Sequence, residues 1–428
     1  MSDLTLYLYQ FLQLLLSLWW LWLAIFLYRP AKYFWLWERR ESWESSIKFE
    51  LLEIKIPEEV TKTPKAMENV LHSMWALYDP PANIRDYWID GKHLIYFSLE
   101  IVGKKDEIHF YIRTPKTFRH VVENAIYGEY PDAEIQEVDD YVYNLGKALP
   151  NEKYDTWGTD MGNPMPSAYP IRTHEYWETE MTKEEKKIDP LAALFECFGN
   201  LKEEEEIWVQ IKALPVTDQW HKYIEDGKNI VNKIMQRPEE KKTGIFDALH
   251  LSKIPGDIWN ILVRGEQIPE RQIEEKEERV DFGIMRLSPG ETEIIKAIED
   301  KLSKYVYEGN VRSLYISRRD IYLPARGAGS ICGAFNQFST NNLNGFKPDE
   351  TKTKVAPWFF EARRLFLKKQ KIFRFYSNRM WPWHRKPYIY SISEIATIFH
   401  FPGKTVSPAA AAPRVEFKKT KAPPVLPT

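Results

Sequence analysis

The chain has few cysteines. Its 428 residues include two, Cys197 and Cys332. Two thiols cannot build a disulfide framework and fit a reducing compartment. They read as small apolar groups. An excess of one charge is also missing: Lys plus Arg is 59 and Asp plus Glu is 61. No global field therefore marks the chain as a nucleic-acid binder. The patterns of known catalysis are missing too. Nine histidines are scattered, none paired with another His or a Cys at metal-ligand spacing. No G-x-S-x-G, H-E-x-x-H or paired-carboxylate arrangement stands out. Asp139-Asp140 reads as a solvated strand end. These absences leave no candidate catalytic residue, cofactor or metal, and the expectation is a protein that is not an enzyme.

Two glycine-containing stretches resemble phosphate cradles. Gly403-Lys404-Thr405 ends like a P-loop, but the motif's first glycine would fall on Ile398. A strand should precede such a loop. Here Ser391 and Glu394 form an S-x-x-E capping box, which opens a helix that Pro402-Gly403 closes. In Arg326–Gly333, RGAGSICG, the last glycine comes one residue too late for G-x-G-x-x-G. Close helix packing through small residues explains that stretch better.

One apolar run is long. Leu4–Tyr28 contains no Asp, Glu, Lys or Arg. As a helix it would be about 37 Å long, enough to cross a ~30 Å hydrocarbon core with tilt. Asp3 precedes it and no small-residue cleavage site follows, which argues against a signal peptide. Arg29, Lys32, Arg39 and Arg40 flank its C-terminal side. Positive-inside logic then predicts a single-pass inner (plasma) membrane protein with its N-terminus outside and its body cytoplasmic. Arg29, Lys32, Trp35 and Trp37 would be the interfacial anchor.

The body reads as α+β. Ile47–Ile56 is strand-like, with a change of phase that predicts a bulge. Thr63-Pro64 opens a helix, His93–Val102 and Glu107–Arg113 form a hairpin, Thr114-Pro115 opens a second helix, and Ala133–Val138 closes with a strand. That order predicts a ferredoxin-like split βαβ unit. It recurs in Tyr169–Glu178 as strand, Asp189-Pro190 opening a helix, Glu206–Leu214 and Val280–Leu287 as strands, Ser288-Pro289 opening a helix, and Val311–Arg318 as the last strand. The expected layout is an anchor and interfacial segment at 1–45, ferredoxin-like domains at 46–143 and 165–320, and a helical basic-aromatic extension at 321–401. The second domain carries an insertion at 215–279, with a helix over Thr217–Gln236. Pro324–Phe338 is helix-permissive, Trp358–Lys369 reads as a helix, and 402–428 is a Pro/Ala-rich tail expected to be disordered.

From Ala362 to Ser393 the only charges are positive. Arg363, Arg364, Lys368, Lys369, Lys371, Arg374, Arg379, Arg385 and Lys386 alternate with aromatics that include Phe366, Phe373, Trp381 and Trp383. Cations hold phosphates while rings stack on bases, so the mixture suits single-stranded nucleic acid. It suits an anionic lipid surface or an acidic protein partner as well.

Four stretches carry a resemblance: Phe110–Arg119 (FYIRTPKTFR), Tyr127–Tyr141 (YGEYPDAEIQEVDDY), Phe335–Pro348 (FNQFSTNNLNGFKP) and Ser393–Pro402 (SEIATIFHFP). Together they resemble the N-terminal, membrane-attached, non-motor region of type IV secretion and conjugative-transfer ATPases, in the forms found in candidate-phylum bacteria. In that family a Pro-rich linker leads on into a RecA-like motor. No Walker A or B pattern occurs here, so the resemblance transfers no catalytic residue. It implies a membrane-anchored, non-enzymatic scaffold or adaptor of a secretion-like complex that docks a motor ATPase carried on another polypeptide. The alternative is a membrane-tethered protein that binds single-stranded nucleic acid. A third reading, an enzyme whose site is assembled from dispersed residues, has no motif behind it. Membrane lipid is a further expected partner, and self-association stays open.

Overall fold

The computed structural model describes residues 13, 17–56, 62–105, 107–179, 189–218, 222–235, 287–382 and 386–402. The first described helix, α1 (Trp19–Ser46), corrects the expected membrane anchor. Arg29, Lys32, Glu38, Arg39 and Arg40 all lie inside it. Its uncharged start, Trp19–Tyr28, spans about 15 Å, half of a hydrocarbon core. Among the described residues no helix is long and apolar enough to cross a membrane. The single-pass, inner-membrane expectation fails on that finding. Most of Leu4–Ser17 lies outside the described residues.

Two of the expected interfacial residues meet protein. Lys32 Nζ sits 4.7 Å from the Trp88 ring centroid, and Trp35 Nε1 donates to the Trp88 carbonyl at 2.8 Å. Arg29 and Trp37 are exposed. Trp88 belongs to a π-helical turn, Asp86–Asp90, that closes on Gly91. Gly91 has φ +74°, and a Cβ there would stand 2.4 Å from the Arg39 carbonyl carbon. Only glycine lets the turn approach α1 so closely.

One antiparallel sheet of nine strands organises the rest. Its first strands are β1 (Phe49–Lys55), β2 (Phe97–Lys104), β3 (Glu107–Pro115) and β4 (Glu134–Val138). The second half adds β5 (Tyr154–Gly162), β6 (Glu205–Val216), β7 (Val306–Arg318), β8 (Lys347–Pro348) and β9 (Tyr388–Ser391). The order is β4-β1-β3-β2-β6-β7-β5-β8, with β9 on β7. Strands β2 and β6 pair from Phe97↔Ala213 to Gly103↔Ile207, so the two halves share one sheet rather than forming two.

Both faces of that sheet are covered. Helices α2 (Pro64–Met74), α3 (Arg119–Glu129), α5 (Ala192–Gly199), α8 (Pro324–Asn336) and α10 (Ile392–Ile398) bury Leu52, Leu99, Ile101, Val209, Ile211 and Tyr315 on one face. A short helix, α4 (His174–Thr179), packs against α10. Helix α9 (Glu361–Ser377) places Ile372, Phe373 and Tyr376 on Leu51, Tyr111, Trp208, Leu314 and Ile316 of the other face. Outside the sheet, α6 (Tyr223–Ile234) packs on α7 (Pro289–Ser303) through Val231, Ile295 and Ile298.

Two-sided burial corrects the expected bulge in β1. Its pairing with β3 runs unbroken from Phe49↔Pro115 to Ile54↔Phe110. The phase change arises because Leu51 joins one core while Leu52 and Ile54 join the other. The first strand of the second half is also corrected. It is Tyr154–Gly162, whereas the residues expected as a strand include α4. Residues 280–286 of the next expected strand lie outside the described residues, as do 236–279 of the insertion and 403–428 of the tail.

Helix α8 carries the Gly-rich stretch. A Cβ on Gly327 would lie 2.1 Å from the Tyr315 ring, while Gly329 and Gly333 face open space. Gly327→Ala is expected to lower the unfolding midpoint because the helix must lift off β7. Gly333→Ala should be neutral or raise it, since alanine in a helix is favoured by up to about 1 kcal/mol. Thermal unfolding of the two variants side by side checks this.

Candidate functional site

On the α9 face the strands present a polar row. Register sets Glu100 opposite Gln210, Gln210 opposite Arg312, and Arg312 opposite Asp160. Gln210 Nε2 donates to Glu100 Oε1 at 2.9 Å, and Arg312 Nε donates to Asp160 Oδ1 at 2.7 Å. The row crosses the joint between the halves of the sheet, and all four side chains are buried. Buried charge is tolerable only when paired and hydrogen-bonded. The turn that ends α9 supplies the pairing. Arg379 Nε donates to Glu100 Oε1 at 3.0 Å, and its two terminal nitrogens reach Asp140. Tyr141 Oη donates to Glu100 Oε2 at 2.7 Å. Arg312 Nη1 donates to the Phe375 carbonyl at 2.7 Å and the Met380 carbonyl at 3.0 Å. Burial would raise the Glu100 pKa, but the Arg379 charge and the hydrogen bonds outweigh it and hold the carboxyl at about 2.

Lys212 completes this arrangement. Its Nζ donates to the Arg379 carbonyl at 2.6 Å and lies 3.4 Å and 4.1 Å from the ring centroids of Tyr96 and Trp381. Burial pushes its pKa well down. An ammonium held between two rings gains cation–π attraction that offsets part of its lost hydration.

The structure thereby divides the basic-aromatic stretch. Arg379 and Trp381 belong to the buried network. Lys369 is buried too, donating to Asp155 Oδ1 at 2.7 Å beneath the Tyr322 ring. Lys371 is half-buried near the Phe375 ring. Lys368 donates to the Lys354 carbonyl and Arg364 to the Ala356 carbonyl. Arg363, Arg364, Arg374 and Lys386 are exposed. Trp383 and Arg385 lie outside the described residues.

What remains on the surface is a tip at the start of α9. Trp358, Phe359 and Phe360 are 75%, 85% and 78% exposed. Phe366 and Leu367 are exposed beside them, on the helix that carries Arg363 and Arg364. Phe360, the N-cap, has φ +56°, a left-handed conformation that costs a bulky residue energy. The sequence shows these aromatics plainly, but nothing local separates them from the buried Phe373 and Phe375.

The phosphate candidates find no support. Helix α10 ends at Ile398, with Phe399 N donating to the Ile395 carbonyl, and Gly403-Lys404-Thr405 lies outside the described residues. Cys197 and Cys332 are half-buried, and burial pushes both thiols up, away from reactive thiolate. Among the described residues, Glu68, His174 and Glu175 bring three potential ligand atoms within 4.8 Å of one another. Sequence spacing missed this group because Glu68 comes from α2, more than a hundred residues before His174. Compared with known proteins, the chain matches no family model and no curated protein.

Proposed function

We propose that this protein is a non-enzymatic scaffold or adaptor of a type IV secretion or conjugation-like complex, and that the α9 tip docks a motor ATPase carried on another polypeptide. The observation behind this reading is the tip itself. Three consecutive aromatics stand in solvent next to two arginines, while the far end of α9 is fixed by buried ion pairs. Aromatic and arginine side chains dominate binding energy at protein interfaces, and a rigid mount lowers the entropic cost of using them.

The resemblance supports the assignment to a secretion-like assembly. Stretches that carry it pack together: the Phe110 ring lies 5.9 Å from Phe399 and 5.2 Å from Phe401, and Tyr130 lies 5.1 Å from Phe401. Single-strand nucleic-acid binding is the second reading, favoured by the same exposed rings. It is weakened by the loss of Lys369 and Arg379 to buried ion pairs.

Co-purification of the full chain from its own cells, quantified by mass spectrometry, tests the proposal. A P-loop ATPase is expected in the wild-type complex. Its recovery should fall at least tenfold for Trp358→Ala/Phe359→Ala/Arg363→Glu. Equal recovery of the ATPase with that variant would remove the tip from the account. Binding of a labelled oligothymidylate, weakening steeply with salt, would favour the nucleic-acid reading instead.

A further inference from the structure

Glu68 lies on α2, and His174 and Glu175 open α4. They meet where the first half of the sheet's helical layer touches the second. Glu68 and His174 are 4% and 1% exposed. Lys65 Nζ holds Glu68 Oε1 at 3.0 Å. Glu68 Oε2 and His174 Nε2 are buried without a hydrogen-bond partner. These two atoms face each other at 3.6 Å. That is too long for a hydrogen bond. Two ligand atoms each about 2.1 Å from a tetrahedral ion stand about 3.4 Å apart, so the gap suits a shared ion.

The proton on the imidazole can be placed. Thr397 Oγ1 donates to the Ser393 carbonyl at 2.7 Å, so its oxygen can only accept from His174. It does so twice, from the His174 backbone N–H at 2.8 Å and from Nδ1 at 3.4 Å. Nδ1 therefore carries the proton, and Nε2 turns a lone pair toward a carboxylate oxygen. Two lone pairs in a buried gap repel unless a cation lies between them. A hydrogen bond that fixes the far ring nitrogen is the usual support of a metal-binding histidine.

We propose that Glu68 Oε2, His174 Nε2 and a Glu175 carboxylate oxygen form a three-ligand site for a divalent first-row transition ion, with zinc the best fit. One imidazole and two carboxylates suit zinc with water in the fourth place. Glu175 is half-exposed and pairs with Lys304 at 2.7 Å. Lys304 also pairs with Asp300 at 2.9 Å, so it keeps a carboxylate when Glu175 turns to the ion. Lys65 stays on the Glu68 oxygen that the ion does not use. The bound ion would tie α2 to α4, and through Thr397 to α10.

The test is a titration of the purified, chelator-treated full chain with zinc chloride by calorimetry, followed by thermal unfolding. One ion per chain is expected, with an unfolding midpoint that rises with zinc concentration. Cobalt(II) should give the intense visible absorption of a tetrahedral site. His174→Gln should abolish binding, and Glu175→Gln, at a half-exposed position, should keep the fold and weaken binding at least tenfold. Absence of saturable binding to the wild-type chain would overturn the proposal. So would a cobalt spectrum and zinc affinity unchanged by Glu175→Gln.

Discussion

Arg379→Ala is expected to destabilise the protein by about 3–5 kcal/mol, the usual cost of removing one partner from a buried ion pair. The substitution strands Glu100, which is fully buried between β3 and β6, and strips Asp140 of its bidentate partner. Denaturant unfolding should show a lower midpoint with little change in slope. The pH dependence separates this cause from lost packing. In the wild type the Glu100 carboxyl is held at about 2 against 4.5 unfolded, so its contribution is full above pH 4.5 and is lost as pH falls toward 2. Without Arg379, burial is opposed only by the hydrogen bonds from Tyr141, Ser98 and Gln210, so that pKa rises and protonation of Glu100 relieves the variant as pH falls. The stability gap between the two proteins should therefore narrow from pH 6 to pH 3. A constant gap would mean that the ion pair is not the source.

Glu394→Ala is expected to cost about as much, on the opposite face of the sheet. Its carboxylate is fully buried and accepts from Lys301 Nζ at 2.8 Å, Ile171 N at 2.9 Å and Ser391 N at 2.7 Å. The Ser391 contact is half of a capping box, worth about 1 kcal/mol in an exposed helix. The rest follows from Lys301, which has no other carboxylate within reach among the described residues and is left as a buried cation. Burial already pushes the Lys301 pKa down against the Glu394 charge. Lys301→Met added to Glu394→Ala should recover part of the loss, since an apolar group needs no partner there. A double-mutant cycle with strictly additive costs would contradict the pairing.

These two carboxylates show what was legible in the sequence. The capping box at Ser391–Glu394 was local and formed, and the helix expected behind Ser288-Pro289 is there as well. Helices α2 and α7 followed from apolar spacing behind a cap residue and Pro, whereas Thr114-Pro115, expected to open a helix, ends β3, and α3 begins at Arg119. Strand β5 was not legible because Asp155, Gly158 and Asp160 interrupt its apolar alternation. Asp160 finds Arg312 and Asn310, and Gly158 leaves room for Leu314, all far along the chain. The run from Ala362 to Ser393 misled for the same reason. It contains no acidic residue, but Glu100, Asp140 and Asp155 approach it from the sheet and its flanks. Net charge along a segment says nothing about the charges that fold against it. The anchor failed differently. The uncharged run from Leu4 to Tyr28 predicts a span, while the described helix continues through Arg29 and Lys32 onto Trp88. The candidate ion site left no local signal, because adjacent His174 and Glu175 become a cluster only when α2 delivers Glu68.

The central claim is that the α9 tip docks a motor protein, and in-cell photo-crosslinking from position 359 tests it most directly. A photoreactive amino acid replaces Phe359, a position that is 85% exposed, and the same group at Arg318 in β7 serves as the control. The account predicts crosslinked peptides from a P-loop ATPase at position 359 and none at the control. Crosslinks at 359 to nucleic acid alone, or none above the control, would contradict it.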